Sequence, residues 1–141
     1  MDSTRWPQGN VAFLFTDVEG SSAIWERFPA AMQEAYGRHD AILREAASSN
    51  GGVVYKIVGD AFQIAFPTAG AAIDAAFRAQ LALLDEAWPL PHPLRVRMAL
   101  HLAPARPDQM GDYRTPQLNR LGRLIALAHG GPILFTQTVT D

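Results

Sequence analysis

The stretch VVYKIVGDAFQIAF, residues 53–66, constrains the fold more than any other part of the chain. Two runs rich in β-branched and aromatic residues flank Gly59 and Asp60, a pair suited to a tight turn with unusual backbone angles, so the stretch reads as a β-hairpin. Helical patterns lie on either side of it. Before it, Met32, Tyr36, His39, Leu43 and Ala46 recur at helical spacing, Pro29 suits a first turn, and Asn50-Gly51-Gly52 supplies a stop. This predicts a long amphipathic helix after the first strand, with Ser21 or Ser22 as its cap. After the hairpin, Ala69, Ala72, Ile73, Ala76, Phe77 and Leu84 predict a second helix, rich enough in alanine to lie close against a sheet.

Residues 11–16 form a short apolar run bounded by polar turn residues and predict a first strand. Residues 94–101 alternate strictly, with Leu94, Val96, Met98 and Leu100 on one face and Arg95, Arg97, Ala99 and His101 on a wet or lightly covered one. A loop carrying Pro104, Pro107, Asp108, Gly111 and Asp112 comes next. Thr115-Pro116 then opens a third helix with Leu118, Leu121, Ile125 and Ala128 inward, and GGPILFT closes with a strand. The order β-α-β-β-α-β-α-β places the chain in the α+β class. Its core is a ferredoxin-like split βαββαβ arrangement, with an αβ extension and helices on one face of an antiparallel sheet.

At 141 residues the chain is one domain's worth. A net charge of −2 offers no attraction to nucleic-acid polymers or anionic membranes, and neither is expected as a partner. Cysteine is absent, so disulfides, thiolate nucleophiles and thiolate-held zinc are excluded, and any metal must be held by oxygen or imidazole. The four histidines, at 39, 92, 101 and 129, lack metal-ligand spacing, and His39 on its helix stripe is expected to be packed. Neither a signal peptide nor an apolar run of membrane-spanning length is visible, and a cytoplasmic location is expected.

The first strand ends unusually. In FLFTDVEGSS, residues 13–22, a run that belongs in a core delivers Asp17 to its own end. In a split βαββαβ sheet the first strand and the hairpin are neighbours, so Asp17 and Asp60 are expected to meet at one sheet edge. Two carboxylates held close repel unless a cation lies between them, and oxygen donors select hard cations that also bind phosphate oxygens. The segment Val18-Glu19-Gly20-Ser21-Ser22 then enters a helix, whose free N–H groups favour an anion. Taken singly, either aspartate is ordinary turn or cap chemistry; jointly they point to a polyphosphate. Lys56 lies inside a strand among apolar residues, where it needs either a partner or a stem packed on the sheet with its ammonium in water. Asn119 and Arg123, four apart, share a helix face, which taken alone is most simply a solvated one.

Together these positions resemble the class III nucleotidyl cyclases, the adenylate and guanylate cyclase catalytic domain. FTDVEGSS is similar to the first metal-binding segment, YKIVGDAF to the segment with the substrate lysine and second metal aspartate, and GDYRTPQLNRLGRL to the segment with the remaining base, ribose and phosphate contacts. GGVV and AHGGPILFT are similar to family sequence at matching places, and the likeness runs over residues 11–138. The resemblance implies a nucleotide cyclase-like fold in which Asp17 and Asp60, with Val18 beside the first, hold two Mg²⁺ or Mn²⁺ ions per site. It implies that Lys56 and Asp112 read the purine, that Val18, Glu19, Gly20, Ser21 and Ser22 lie along the substrate, that Asn119 orients the ribose and that Arg123 contacts the phosphate.

The implied reaction converts ATP, favoured over GTP by the lysine and aspartate pair, to cyclic 3',5'-AMP and pyrophosphate. The resemblance also implies a C2 homodimer with composite sites across the interface. Three places depart from the family pattern: Ala61 stands where glycine is usual, ALHLAPA where a Thr-Gly segment is common, and TPQLN where the stretch before Asn119 usually carries glycine. These departures keep open a second reading, a catalytically weak or inactive module that binds nucleotide or dimerises. The chain is expected to be a single cyclase homology domain, residues 1–141, shortened at its C-terminus and compatible with attached regulatory domains.

Overall fold

The computed structural model describes residues 6–113, residue 118 and the strand at 133–137. Its elements are β1 (Gly9–Val18), α1 (Ser21–Arg27), α2 (Pro29–Ser48), β2 (Val53–Val58), β3 (Ala61–Phe66), α3 (Ala69–Asp85), β4 (Val96–Ala105) and β5 (Ile133–Gln137). The sheet runs in the order β2-β3-β1-β4-β5. The pairings of β2 with β3, β3 with β1 and β1 with β4 are antiparallel, and β5 joins β4 in parallel. This is the expected split βαββαβ core extended by one strand. The expected third helix lies outside the described residues, apart from Leu118, which is buried.

β1 sits in the middle of the sheet and is covered on both sides. Its even positions Ala12, Leu14 and Val18 join Met32, Leu43, Ile64, Phe66 and Met98 in a core under α2 and α3. Its odd positions Val11, Phe13 and Phe15 join Ala65, Ala99, Ala103, Tyr113 and Leu118 on the opposite face. The hairpin is as its turn chemistry requires: Gly59 is left-handed at φ 61° between Val58 and Ala61, which pair directly. A register shift between Val54 and Lys56 bulges β2 beside Tyr55.

Four local expectations need correction. The helical stretch 21–48 is two helices, broken at Phe28 because Pro29 opens a new first turn. Neither Ser21 nor Ser22 caps α1: Gly20, at φ 67°, holds the cap position without a side-chain hydrogen bond, since the chain must turn sharply out of β1 there. In α3 the buried residues are Ala72, Ala75, Ala76, Ala79 and Leu83, while Ile73, Phe77, Leu81 and Leu84 face outward. Close approach to the sheet selects the alanine face over the bulkier one. Finally, β4 runs on to Ala105, and its supposedly wet face is covered, with Ala99, His101 and Ala103 buried. Pro104 lies opposite Asn10 of β1, two residues past Leu102, the last β4 residue with a described partner on β5.

Two features make the packing testable. Gly52 accepts no side chain, because a β-carbon there would stand 2.5 Å from the buried Phe66 ring, whereas at Gly37 in α2 nothing among the described residues lies within 4 Å. His39, on the inner face of α2, is fully buried, with edge-on Phe62 and tilted Tyr36 rings at 5.3 Å and, among the described residues, no hydrogen-bond partner on either nitrogen. Burial pushes its pKa down to about 4, against weaker upward pulls from Asp60 and Asp40.

Gly52→Ala is expected to lower the unfolding free energy by about 1–3 kcal/mol, while Gly37→Ala leaves it unchanged or raises it by up to about 1 kcal/mol, as measured by chemical denaturation. His39 makes stability depend on pH. The unfolded chain takes up a proton near pH 6.5 and the folded chain only near 4, so the stabilisation is complete above 6.5 and is lost as pH falls through that window. The loss approaches about 3 kcal/mol, and His39→Leu should flatten that part of the stability profile between pH 7 and 4.5.

Candidate active site

The odd-numbered face of β1 ends in Asp17. Its cross-strand partner on β4 is Arg97, and the two side chains meet in a forked ion pair, Nε to Oδ1 at 2.7 Å and Nη2 to Oδ2 at 2.9 Å. Both are about four-fifths buried, at 22% and 19% exposure, so the pair is short, charge-assisted and partly shielded from water. On the other side of β1, Thr16 pairs with Phe62, and one further step along that register brings Asp17 alongside Ala61, next to Asp60. Both acids therefore lie at one end of the sheet. Asp60 Oδ2 is buried and, among the described residues, has no hydrogen-bond partner. A carboxylate oxygen sealed from water without a donor is a position that suits a cation.

The second cluster lies on the same face of the sheet as Phe13 and Asp17. Lys56, opposite Gln63 across the hairpin, reaches Asp112 with Nζ to Oδ2 at 3.2 Å. The partner that a lysine among apolar strand residues calls for is thus an aspartate 56 positions away. Lys56 is nearly half exposed, so the pair contributes no more than about 1 kcal/mol and a ligand offering equivalent polar groups displaces it at little cost.

Asp112 is set by its loop. Asp108 Oδ1 accepts from the N–H groups of Met110 and Asp112 at 2.8 and 3.0 Å, and Asp112 Oδ1 accepts from Tyr113 N–H at 2.8 Å. Beneath the loop, Tyr55, Tyr113, Phe13 and Trp6 form an aromatic cluster, and Tyr113 donates its hydroxyl to the carbonyl of Pro7 at 2.7 Å. Burial raises both phenol pKa values, that of Tyr113 to about 12, and the Asp112 charge adds to the rise at Tyr55.

Of the sequence-derived site residues, the structure brings Asp17 and Asp60 to one sheet end and Lys56 to Asp112. Val18 is buried in the core and pairs with Val96; the Glu19 N–H donates to the carbonyl of Arg95 at 2.9 Å; Gly20, Ser21 and Ser22 make the turn into α1. Asn119 and Arg123 lie outside the described residues. Two contributors carry no site role in the sequence reading: Arg97, there only a strand residue, whose meaning appears once β4 is in register with β1, and Asp108, there only a loop residue, whose position three residues before Gly111 is a local turn signal. Among the described residues no helix is long and apolar enough to cross a membrane, and no three or more acidic or histidine side chains form a metal cluster.

Fold and motifs define a nucleotide cyclase domain, and comparison with known proteins agrees. Residues 4–122 match the adenylate and guanylate cyclase catalytic domain family, and the chain belongs to it. It is 35% identical to the adenylate cyclase of Lachancea kluyveri over a match taking in 90% of this chain and 8% of that much longer protein. A solved adenylate cyclase structure from Trypanosoma brucei, in a monomeric state, superposes with a TM-score of 0.88 at 26% identity, covering 96% of this chain and 76% of that one. A guanylate cyclase domain from Catenaria anguillulae in complex with GTP shares the fold, with a TM-score of 0.72 at 17% identity over 91% of this chain and 78% of that one.

Asp17→Asn replaces a doubly bonded carboxylate with a neutral amide opposite a largely buried guanidinium. The unfolding free energy should fall by about 1–3 kcal/mol in chemical denaturation. By contrast, Asp74→Asn, at the exposed Arg78–Asp74 pair on α3, should change it by less than about 0.5 kcal/mol.

Proposed function

We propose that the chain binds ATP and closes it to cyclic 3',5'-AMP with release of pyrophosphate, at sites shared between two copies. The observation that carries this is the arrival of Asp17 and Asp60 at one sheet end, the first already holding a cationic side chain and the second with an unpartnered buried oxygen. Hard oxygen donors in this arrangement fit Mg²⁺ or Mn²⁺, two ions per site, with Val18 beside the first acid. Such ions, when bound, acidify a hydroxyl and neutralise a polyphosphate.

The chain's own residues set up the reaction. A divalent ion at Asp17 repels the Arg97 guanidinium and weakens its fork, and the guanidinium is then available to the polyphosphate. Lys56 donates to an adenine ring nitrogen and Asp112 accepts from the exocyclic amine; guanine offers the opposite pattern. The segment Val18-Glu19-Gly20-Ser21-Ser22 lines the substrate, Asn119 orients the ribose and Arg123 contacts the phosphate. The ribose 3'-oxygen attacks the α-phosphorus, the bond from that phosphorus to the bridging oxygen breaks, and the hydroxyl proton passes to solvent. Arg123 stabilises the charge that builds on the phosphoryl oxygens, provided it is already in place. No side-chain nucleophile is used. Each composite site takes its acids from one copy and its purine readers from the other, an isologous C2 arrangement.

A second reading is a nucleotide-binding or dimerising module without turnover. One observation favours it: in a single chain the Asp17–Arg97 and Lys56–Asp112 pairs neutralise all four of these site charges internally.

The protein incubated with ATP and Mn²⁺ should form cyclic AMP, and Asp17→Asn or Asp60→Asn should abolish it. Nucleotide-dependent melting without product identifies the module instead. Equal mixing of the inactive variants Asp17→Asn and Lys56→Ala should restore about a quarter of wild-type activity, because half the dimers are mixed and each has one intact site of two. No restoration contradicts the shared site.

A further inference from the structure

We propose that Tyr36 is a positioning residue that fixes the hairpin tip carrying Asp60 against the segment carrying Asp17, and so sets the separation at which the two carboxylates meet a divalent cation. The proposal rests on the reading of both acids as cation ligands. The Tyr36 hydroxyl donates to the carbonyl of Gly59 at 3.2 Å, a bond from the long helix α2 to the residue immediately before Asp60. Its ring also lies 6.1 Å from that of Trp25, tilted by 49°. Trp25 belongs to α1, which begins four residues after Asp17. One side chain on a 20-residue helix thereby touches the turn of the second acid and the helix that comes after the first.

The tip needs such an anchor. Gly59 is the most pliable residue type at a two-residue turn, and the adjoining β2 residues Ile57 and Val58 are exposed, so the end of the hairpin has little packing of its own. Cation ligands must be held to within about half an ångström of their working geometry, a tolerance that a loose tip does not meet. The helix can impose it, because one turn further along α2 His39 packs edge-on against Phe62 of β3, two residues after Asp60. The helical pattern alone marks Tyr36 as one member of the core stripe; the structure leaves it only partly buried, its hydroxyl spent on the turn.

Tyr36→Phe keeps the ring and removes the bond. In metal-free protein, amide hydrogen exchange at residues 59–61 should quicken about fivefold, as expected for the loss of one hydrogen bond, while the amides of α3 keep their rates. Titrated with Mn²⁺ in the presence of ATP and followed by electron paramagnetic resonance, the same variant should need about fivefold more Mn²⁺ for half-saturation. Arg78→Ala, on the exposed side of α3, should match the wild type in both measurements. A merely structural tyrosine would raise exchange everywhere alike and leave the Mn²⁺ half-saturation where it was, and that result overturns the proposal. Mn²⁺ binding that Asp60→Asn removes but Tyr36→Phe leaves unaltered overturns the proposal alone. If the wild type shows no Mn²⁺ binding dependent on Asp60, the reading of the acidic pair falls, and the proposal with it.

Discussion

The antiparallel register of β1 between β3 and β4 is the constraint on which the site depends. A central strand is held by ladders on both sides, and a slip of one residue would turn Phe13 and Phe15 towards the helices and Leu14 away from them. Two separate cores forbid that slip. The same register sets Asp17 opposite Arg97 and brings it to the level of the hairpin tip with Asp60. The acids of the site are thus placed by residues that have nothing to do with nucleotide, through the packing of Val11, Phe13 and Phe15 on one face and Ala12 and Leu14 on the other.

The charges gathered there are paired within the chain. Asp17 without its guanidinium, or Lys56 without Asp112, would leave a partly desolvated charge unmatched, so each has a protein partner in a single chain. Both pairs retain some exposure, and the Lys56–Asp112 pair is weak enough for a polar ligand to replace it. The Asp17–Arg97 fork is the tighter of the two. Under the proposed function, a divalent ion at that carboxylate competes there with the Arg97 guanidinium.

Much of this was legible in the sequence. The order of elements comes from local signals: the Gly59-Asp60 turn between two β-branched runs, the helical stripe ending in His39, Leu43 and Ala46, and the alternation from Leu94 onward. Where the reading went astray, the deciding contact was remote. Hydrophobicity alone does not reveal that α3 turns its alanines inward, because the spacing to the sheet selects small residues. The far face of β4 looked wet because Trp6, Tyr113 and Leu118, which cover that side of the sheet, come from distant parts of the chain. In the site, Asp17, Asp60, Lys56 and Asp112 stand in recognisable motifs. Arg97 and Tyr36 carry no such mark, since one acts through cross-strand register and the other through a bond 23 positions away.

The most direct measurement is a crystal structure with a non-cyclisable ATP analogue and Mg²⁺. The expected result has carboxylate oxygens of Asp17 and Asp60 at about 2.1 Å from bound ions, Arg97 turned from Asp17 towards phosphate, and the purine between Lys56 and Asp112 of a second copy. Contradiction would be a nucleotide bound elsewhere, with the Asp17–Arg97 fork intact and Asp60 Oδ2 still without a partner.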